Sequence, residues 1–564
     1  MVLPLLLAIL PAEVRAQSRD ETVATCDGSI VSEITIAPRD PSFLSFPPWL
    51  RPLARGVGLH HTTSKSEVIG RFVLLEVGEP CTERQRSETE RILRLQPFLA
   101  DASVRAVADT DGRVRIEVET TDEIPTEFGL RLLGLRPSAL RFGNGNVGGQ
   151  GLHLAASVER GFAYRTGVGV EVTAYQMFGG PNTLSLVAER APLGSALAFA
   201  LGRPFLTDLQ RTAWHVGVRD VNAYLRFVPP EGDALSLGVE RRLWDVGGVR
   251  RIGVGRDIAF IGFLLTQEAV TPASRFVVVS DSGLVADTSG ALGGPIPAYR
   301  NRRLNAVVGL RALSFLSVRG FDALTAVQDV AIGVQVGTLM GLGLPRGGTH
   351  DDDRIVVADL YAGFGSPTSF AGLRVAGEAR VDSRTHRWDS MVAGGRLAWY
   401  TRPRDGHVLI GSVEFGGGRR LRIPFQLRLG DLQGGVRGYA ASRRAGAART
   451  VLRLEERWFL GGPTRHGSFG LASFVDAGWV WAGDAPFGTN SGMKAGVGLG
   501  LLAAFPSQSP RLWRLDIAVP VSGDPHAHWE VRLSSSRGRS FWREPDDVSR
   551  GRAGAAPSTI FGWP

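Results

Sequence analysis

The sequence predicts a mainly β chain: an antiparallel transmembrane β-barrel of about 16 strands, preceded by a small α+β unit of order β-α-α-β-β. Three observations predict it. From about Thr126 onward, apolar residues recur at every second position, as in Leu152, Leu154, Ala156 and Val158, or Val168, Val170, Val172 and Ala174. Side chains of a strand alternate between its two faces, so each run has one apolar face and one small or polar face. The chain also carries 72 Gly in 564 residues, well above the average of about 7%, which suits many short strands joined by turns. Finally, mean hydropathy is only +0.02 with 21% charged residues, and no run of 18 or more apolar residues occurs, which excludes both disorder and a helical membrane protein.

Residues 1–16 read as a signal peptide. Met1 to Leu10 (MVLPLLLAIL) is an apolar core too short to span a bilayer, and Val14-Arg15-Ala16 offers a cleavage site. The chain holds two cysteines, Cys26 and Cys81. In an exported protein such a pair reads as a disulfide, the alternative being two unpaired thiols.

Residues 24–124 carry the α+β unit. Residues 29–36 (SIVSEITI) alternate as a strand. Thr62 or Thr63 is placed to cap a short helix through Val68, Ile69, Phe72 and Val73, and Thr82 to start a second over Glu83–Leu95. Strands at 102–108 and 113–120 follow, joined by the turn Asp109-Thr110-Asp111-Gly112. This order, with Leu75 to Pro80, resembles a polypeptide-transport-associated (POTRA) domain. The resemblance implies a periplasmic unit whose sheet edge accepts a substrate strand. A domain that only plugs or spaces the barrel is the alternative.

Residues 126–542 are assigned to the barrel. A strand with its connection takes roughly 25 residues, which gives the expected strand number. The Gly-rich stretch Gly143–Gly151 is expected to precede the first barrel strand and to weaken its pairing. Residues 280–302 and 341–354 read as surface loops. Within them Thr349-His-Asp-Asp-Asp353 reads as a solvated acidic turn rather than a cation site, and adjacent His60-His61 has no metal-ligand spacing. The last strand is expected at 529–535, with Phe541-Trp542 as terminal aromatics and a polar tail over 543–564.

The organising stretch is Gly434-Gly435-Val436-Arg437-Gly438-Tyr439. The run after it, 450–460 (TVLRLEERWFL), places Glu455 and Arg457 on one face. The next, 471–479 (LASFVDAGW), places Phe474, Asp476 and Gly478 on one face. An Arg on a glycine loop can then meet carboxylates of neighbouring strands, in a bidentate pair that a Lys does not reproduce. A glycine turn that merely contains an Arg is the plainer reading. The ordered set resembles the C-terminal half of the BamA/TamA-type outer-membrane assembly and translocation barrels, the bacterial surface antigen family. That resemblance implies a lumen loop of Val436, Arg437, Gly438 and Tyr439, with loop-partner strands contributing Glu455, Phe474, Asp476 and Gly478. It implies an outer-membrane location with the N-terminal unit in the periplasm, and a factor that inserts or exports proteins through a laterally opening barrel. Implied partners are client outer-membrane or secreted polypeptides, outer-membrane lipids and periplasmic accessory proteins. The alternatives are a passive channel or structural barrel, and a dedicated two-partner-secretion-type transporter.

The net charge is +9, nearly all from Arg, since Lys occurs only at Lys65 and Lys494. The Arg residues are spread at every second position of strand-like runs rather than gathered in a patch, which argues against a nucleic-acid partner. No G-x-S-x-G elbow, H-E-x-x-H or Cys/His cluster occurs, so no enzyme, cofactor or metal is expected.

Overall fold

The computed structural model describes residues 24–41, 62–133, 136–160, 166–253, 257–280, 282–344, 353–382, 385–431, 434–460 and 467–537. The expected signal peptide, His60-His61, Phe541-Trp542 and the C-terminal tail lie outside them.

The first sheet has the order β2-β1-β4-β3, from β1 (Asp27–Arg39), β2 (Pro80–Thr82), β3 (Leu99–Ala108) and β4 (Val114–Asp122). β1 runs parallel to β4, and β3 antiparallel to it. Helices α1 (Ser66–Gly70) and α2 (Glu83–Leu95) cover the sheet, burying Val68, Ile69, Ile92 and Leu93 against Val104, Ile116 and Val118. Thr82 caps α2 through a reciprocal bond set with Gln85, as its position predicts. The start of α1 differs from expectation. Lys65, not Thr62 or Thr63, is the capping residue, and its N–H donates to the Gly149 carbonyl, so the helix is begun by a contact from the barrel.

Cys26 and Cys81 form a disulfide that ties the start of β1 to β2, with a Cα–Cα distance of 5.1 Å. It closes a sequence separation of 55 residues, for which chain entropy gives roughly 4 kcal/mol. Cys26→Ser is therefore expected to destabilise this sheet selectively. Amide hydrogen exchange of β1 and β4 in the oxidised protein and the variant checks it; equal protection in both would refute it.

A closed antiparallel barrel follows. Nine wall strands come first: β5 (Thr126–Leu133), β6 (Arg136–Asn144), β7 (Leu152–Arg160), β8 (Thr166–Met177), β9 (Asn182–Ala191), β10 (Gly194–Arg203), β11 (Thr212–Phe227), β12 (Leu235–Ile252) and β13 (Asp257–Pro272). A hairpin of β14 (Val277–Ser280) and β15 (Gly283–Ala286) stands on the rim. Six more wall strands are β16 (Tyr299–Arg319), β17 (Val327–Gly343), β18 (Asp353–Gly365), β19 (Ser369–Asp382), β20 (Trp388–Thr401) and β21 (His407–Arg419). Four two-residue strands sit in the next connection: β22 (Leu427–Arg428), β23 (Gly430–Asp431), β24 (Gly434–Gly435) and β25 (Ala445–Gly446). The wall ends with β26 (Ala448–Phe459), β27 (Ser468–Trp481), β28 (Lys494–Ala504), β29 (Arg511–Pro520) and β30 (Glu530–Arg537), and β30 neighbours β5.

Among the described residues the wall thus has twenty strands, not about 16. Several hairpins turn in only a few residues, as between Ala191 and Gly194 or Gly365 and Ser369, so each strand uses less chain than the estimate assumed. A second correction concerns Gly143–Gly151. It does not precede the first wall strand but links β6 to β7, where Gly149 packs on the Thr63 carbonyl and Gly151 on Phe98 and Val68. Its glycines admit the small domain close to the barrel rather than loosening a first strand.

The wall is inside out relative to a water-soluble fold. Along β16, Asn301, Arg303, Asn305 and Arg311 are buried, while Leu304, Val308 and Leu310 are 48%, 51% and 62% exposed. Charged residues are seldom fully buried unless paired, and large apolar side chains are seldom exposed in rows. An apolar outer belt around a polar lumen is the distribution of a barrel in lipid, where closure also leaves no backbone edge unpaired.

Candidate functional site

The connection between β21 and β26 does not project from the rim. Residues 420–431 and 434–447 fold back into the lumen, held by the β22–β25 and β23–β24 pairs. Gly435 and Gly438 have φ of 77° and 89°. A side chain at Gly438 would meet the backbone of Val519 and Pro520, so the tip approaches the wall only because Cβ is missing there. Val436 and Tyr439 flank the tip and are fully buried, with Leu429, Val451 and Val480. The Tyr439 hydroxyl donates to the Ser522 carbonyl at 2.7 Å and accepts from the Ser522 N–H at 3.2 Å.

Arg437 lies at the centre. Its Nε and Nη2 donate to the two oxygens of Asp476 at 2.7 and 2.8 Å, and its own backbone N–H reaches Asp476 Oδ2 at 3.2 Å. Nη1 donates to Asp516 at 3.2 Å and lies 3.5 Å from Glu455. The guanidinium carbon stands 3.4 Å from the centroid of the Phe474 ring. Pairing of β26 with β27 sets Glu455 opposite Phe474, Arg453 opposite Asp476 and Val451 opposite Gly478, which puts the donors and acceptors on one inward face. A side chain at Gly478 would clash with Val436. The structure therefore brings together every residue expected of the loop and its partner strands.

Several members have no counterpart in the sequence expectations. Arg514 of β29 clamps Glu455 with two bonds of 2.7 Å and reaches Asp516 at 2.7 Å, closing a network from β26 to β29. Arg453 donates to Glu414 at 2.9 Å and to the Gly435 carbonyl at 2.8 Å. Glu530 of β30 accepts from the Gly438 N–H at 3.0 Å, so the loop tip also holds the last wall strand. On the adjoining stretch of wall, Arg422 donates to Asp389 of β20 at 2.8 Å and to Asp353 of β18 at 3.2 Å. Asp353 is fully buried against Arg303 and Arg380, which corrects its reading as part of a solvated acidic turn; residues 349–352 lie outside the described residues. The alternation Arg514-x-Asp516 was visible in the chain, but nothing there assigned its partners. Beyond the wall strands, burial alone would raise the Asp524 carboxyl, yet the His526 N–H, the Ser442 hydroxyl and the Arg444 guanidinium hold it below the usual carboxylate range.

These ion pairs matter because the lumen face is desolvated. A buried charge is costly unless paired and hydrogen-bonded, and here Arg437, Arg514, Arg453 and Arg422 each bond at least one carboxylate. The loop is thereby a strut, fixed by Arg437 to β26–β30 and by Arg422 to β18 and β20. The arrangement can hold or release a lumen segment; among the described residues no group of three His, Cys, Asp or Glu could hold a metal ion.

No protein-family profile matches the chain, and no curated protein matches it. Among solved structures it is similar to BamA from Haemophilus ducreyi lacking POTRA domains 1-3, at 13% identity, covering 90% of this chain and 85% of that one, with a TM-score of 0.40. It is also similar to CdiB from Escherichia coli (12% identity, 89% and 75% covered, TM-score 0.41) and CdiB from Acinetobacter baumannii (11%, 90% and 74%, 0.37). Likenesses this low carry no argument, and the functional reading rests on the strut and the charges that fasten it.

A row of glycines makes the room for that strut. Gly496, Gly498 and Gly500 line the inner face of β28, and Cβ atoms there would meet the Arg437 carbonyl, the Phe474 ring and Asp516 Oδ1, each at 2.3 Å. The sequence shows G-V-G-L-G, but only the register of β27, β28 and β29 reveals what fills the space.

Proposed function

We propose that this chain is an outer-membrane barrel, with its small domain in the periplasm, that moves polypeptide across or into the membrane with no chemical step. The observation that carries the reading is the re-entrant loop fastened by Arg437 to the inner wall. A segment held in the lumen by buried ion pairs narrows any passive path through it. A translocating barrel needs such a segment, because the lumen must be shut at rest and open on demand.

Export of a dedicated secreted partner fits best. The lumen is lined by Arg, Asp and Glu pairs that offer a hydrated chain a polar path once the loop is displaced. Insertion of client barrel proteins is the second reading, favoured by the shortness of β5 and β30, eight residues each beside strands of up to 21. Strands of eight residues make fewer ladder bonds than the sixteen-pair β11–β12 ladder, so that seam costs less to part. The driving force for insertion is satisfaction of a client's backbone groups, which lipid itself cannot supply.

The test is reconstitution in vesicles, with and without a cysteine cross-link between β5 and β30. Export predicts that polypeptide transit survives the locked seam. Insertion predicts that acceleration of client folding is lost with the lock. Steady conductance from the wild type, with neither transit nor client acceleration, would identify a passive channel and overturn the proposal.

A further inference from the structure

Arginine is treated differently on the two faces of the wall. On β16 the outward positions from Leu304 to Ala312 are apolar and exposed. That row rises about 26 Å along the strand and, at a tilt of about 40°, crosses about 20 Å, close to the height of an apolar belt. Arg302 is the next outward residue beyond Leu304, and Arg300 is the one after it. β18 repeats the arrangement: its outward row from Val356 to Phe364 is apolar, and Arg354 stands exposed just beyond it. Leu304 pairs with Leu342 of β17, and Leu342 with Arg354. Arg302 and Arg354 are thus two strands and one outward step apart, roughly 12 Å. Both lie at the end of the wall away from the small domain, since Arg94 of α2 reaches Ser317 at the other end of β16 and Asp329 at the matching end of β17.

Among the described residues none of these three arginines bonds a carboxylate. Arg302 donates only to the neutral side chain of Gln267, from Nε at 3.2 Å and Nη2 at 2.8 Å. Their chain neighbours behave in the opposite way. Arg303 points inward and bonds Asp353 at 2.7 Å and Glu268 at 3.3 Å, so Asp353, next to Arg354 in the chain, is spent on the lumen side. On the same outward row, Arg242 of β12 is already paired with Asp220 at 3.1 Å. The charge left without an anion therefore begins at β16 and ends at β18, directly above exposed Leu304, Met340 and Leu342.

We propose that Arg300, Arg302 and Arg354 form a seat for one lipid whose headgroup carries two phosphates, with its acyl chains lying against Leu304, Met340 and Leu342. A guanidinium fork matches phosphate oxygens with two bonds, and the spacing of Arg302 and Arg354 suits two anionic groups better than one. The apolar row beneath them is what selects a lipid over a free anion. Assignment of this seat to the outer leaflet rests on the outer-membrane reading above.

The experiment uses the full chain, folded in mild detergent, with native mass spectrometry counting retained lipids. The probes are a diphosphorylated disaccharide glycolipid, a zwitterionic phospholipid of equal chain length and inorganic phosphate. The wild type is expected to retain the glycolipid in preference to the zwitterionic lipid. The variant Arg300→Gln/Arg302→Gln/Arg354→Gln is expected to bind it about tenfold more weakly. The charge-matched control Arg160→Gln/Arg190→Gln/Arg250→Gln, three exposed arginines elsewhere on the outward face, is expected to bind like the wild type. Equal binding by wild type and variant overturns the seat, and so does equal weakening in the control, which would reduce the effect to net charge. Displacement of the glycolipid by millimolar inorganic phosphate would overturn the assignment to a lipid. Arg354→Gln alone, expected to weaken binding about threefold, serves if the triple variant does not fold by heat-modifiable mobility. No polypeptide is present, so failure here leaves the transport reading standing; a chain that does not enter vesicles at all fails that reading instead.

Discussion

Arg437→Ala is expected to destabilise the folded barrel by about 3–5 kcal/mol, the usual result of leaving a buried charge without its partner. Asp476 has no exposed surface and takes two guanidinium bonds and one backbone bond from Arg437. Its other neighbouring cation, Arg453, is 3.9 Å away and already committed to Glu414. With Arg437 gone, water must enter the lumen or Asp476 must protonate. The Phe474 ring also loses the cation stacked on it. Arg437→Lys is expected to recover little, since a point charge cannot bond both Asp476 oxygens and reach Asp516. Heat-modifiable gel mobility and urea unfolding in vesicles measure the effect. Wild-type stability in Arg437→Ala would mean the loop is held by Val436 and Tyr439 packing alone. Arg437→Ala is also expected to raise ion leakage, because the loop tip then keeps only its neutral and backbone fastenings, Tyr439 to Ser522 and the Gly438 N–H to Glu530.

Gly498→Ala is expected to produce the second large effect, from a single added methyl group. A Cβ there would sit 2.3 Å from both the Ile517 carbonyl and the Phe474 ring. One of these contacts is backbone, so the strand itself must shift, and overpacking of this kind costs typically 1–3 kcal/mol. The ring must move as well, and Arg437 rests on it. The variant should therefore loosen the loop although no charge has changed. Faster proteolysis near residues 434–439 in the folded variant, beside an unaltered cleavage pattern for Val497→Ala on the lipid face, is the expected outcome. Identical loop protection in both variants would show that Phe474 is not a support for Arg437.

Alternation along the runs after Thr126 was enough to identify strands, because the two sides of a membrane barrel meet solvents of opposite polarity. The Thr82 cap was legible for a similar reason, being a local rule about neighbours in sequence, and the disulfide was legible because the chain holds only two cysteines. The spacing of Glu455, Arg457, Phe474, Asp476 and Gly478 also fixed which residues share a face, since face follows from parity alone. Parity does not say which strands adjoin, how far a loop reaches or how many hairpins close the wall. The strand number, the place of Gly143–Gly151 and the burial of Asp353 were accordingly misread.

By itself, then, the sequence determined a β-rich chain with an apolar outer face, a two-cysteine α+β unit and an Arg loop followed by inward carboxylates. Only the tertiary structure decided that Arg437 meets Asp476, Asp516 and Glu455 together, that Arg514 closes the network and that Arg422 ties the loop to β18 and β20. It alone showed that Arg302 and Arg354 stand two strands apart at the end of the apolar belt. The physical reason is that periodicity is encoded locally, whereas an ion pair between residues 39 or 79 positions apart exists only once strand register and closure have set the distance.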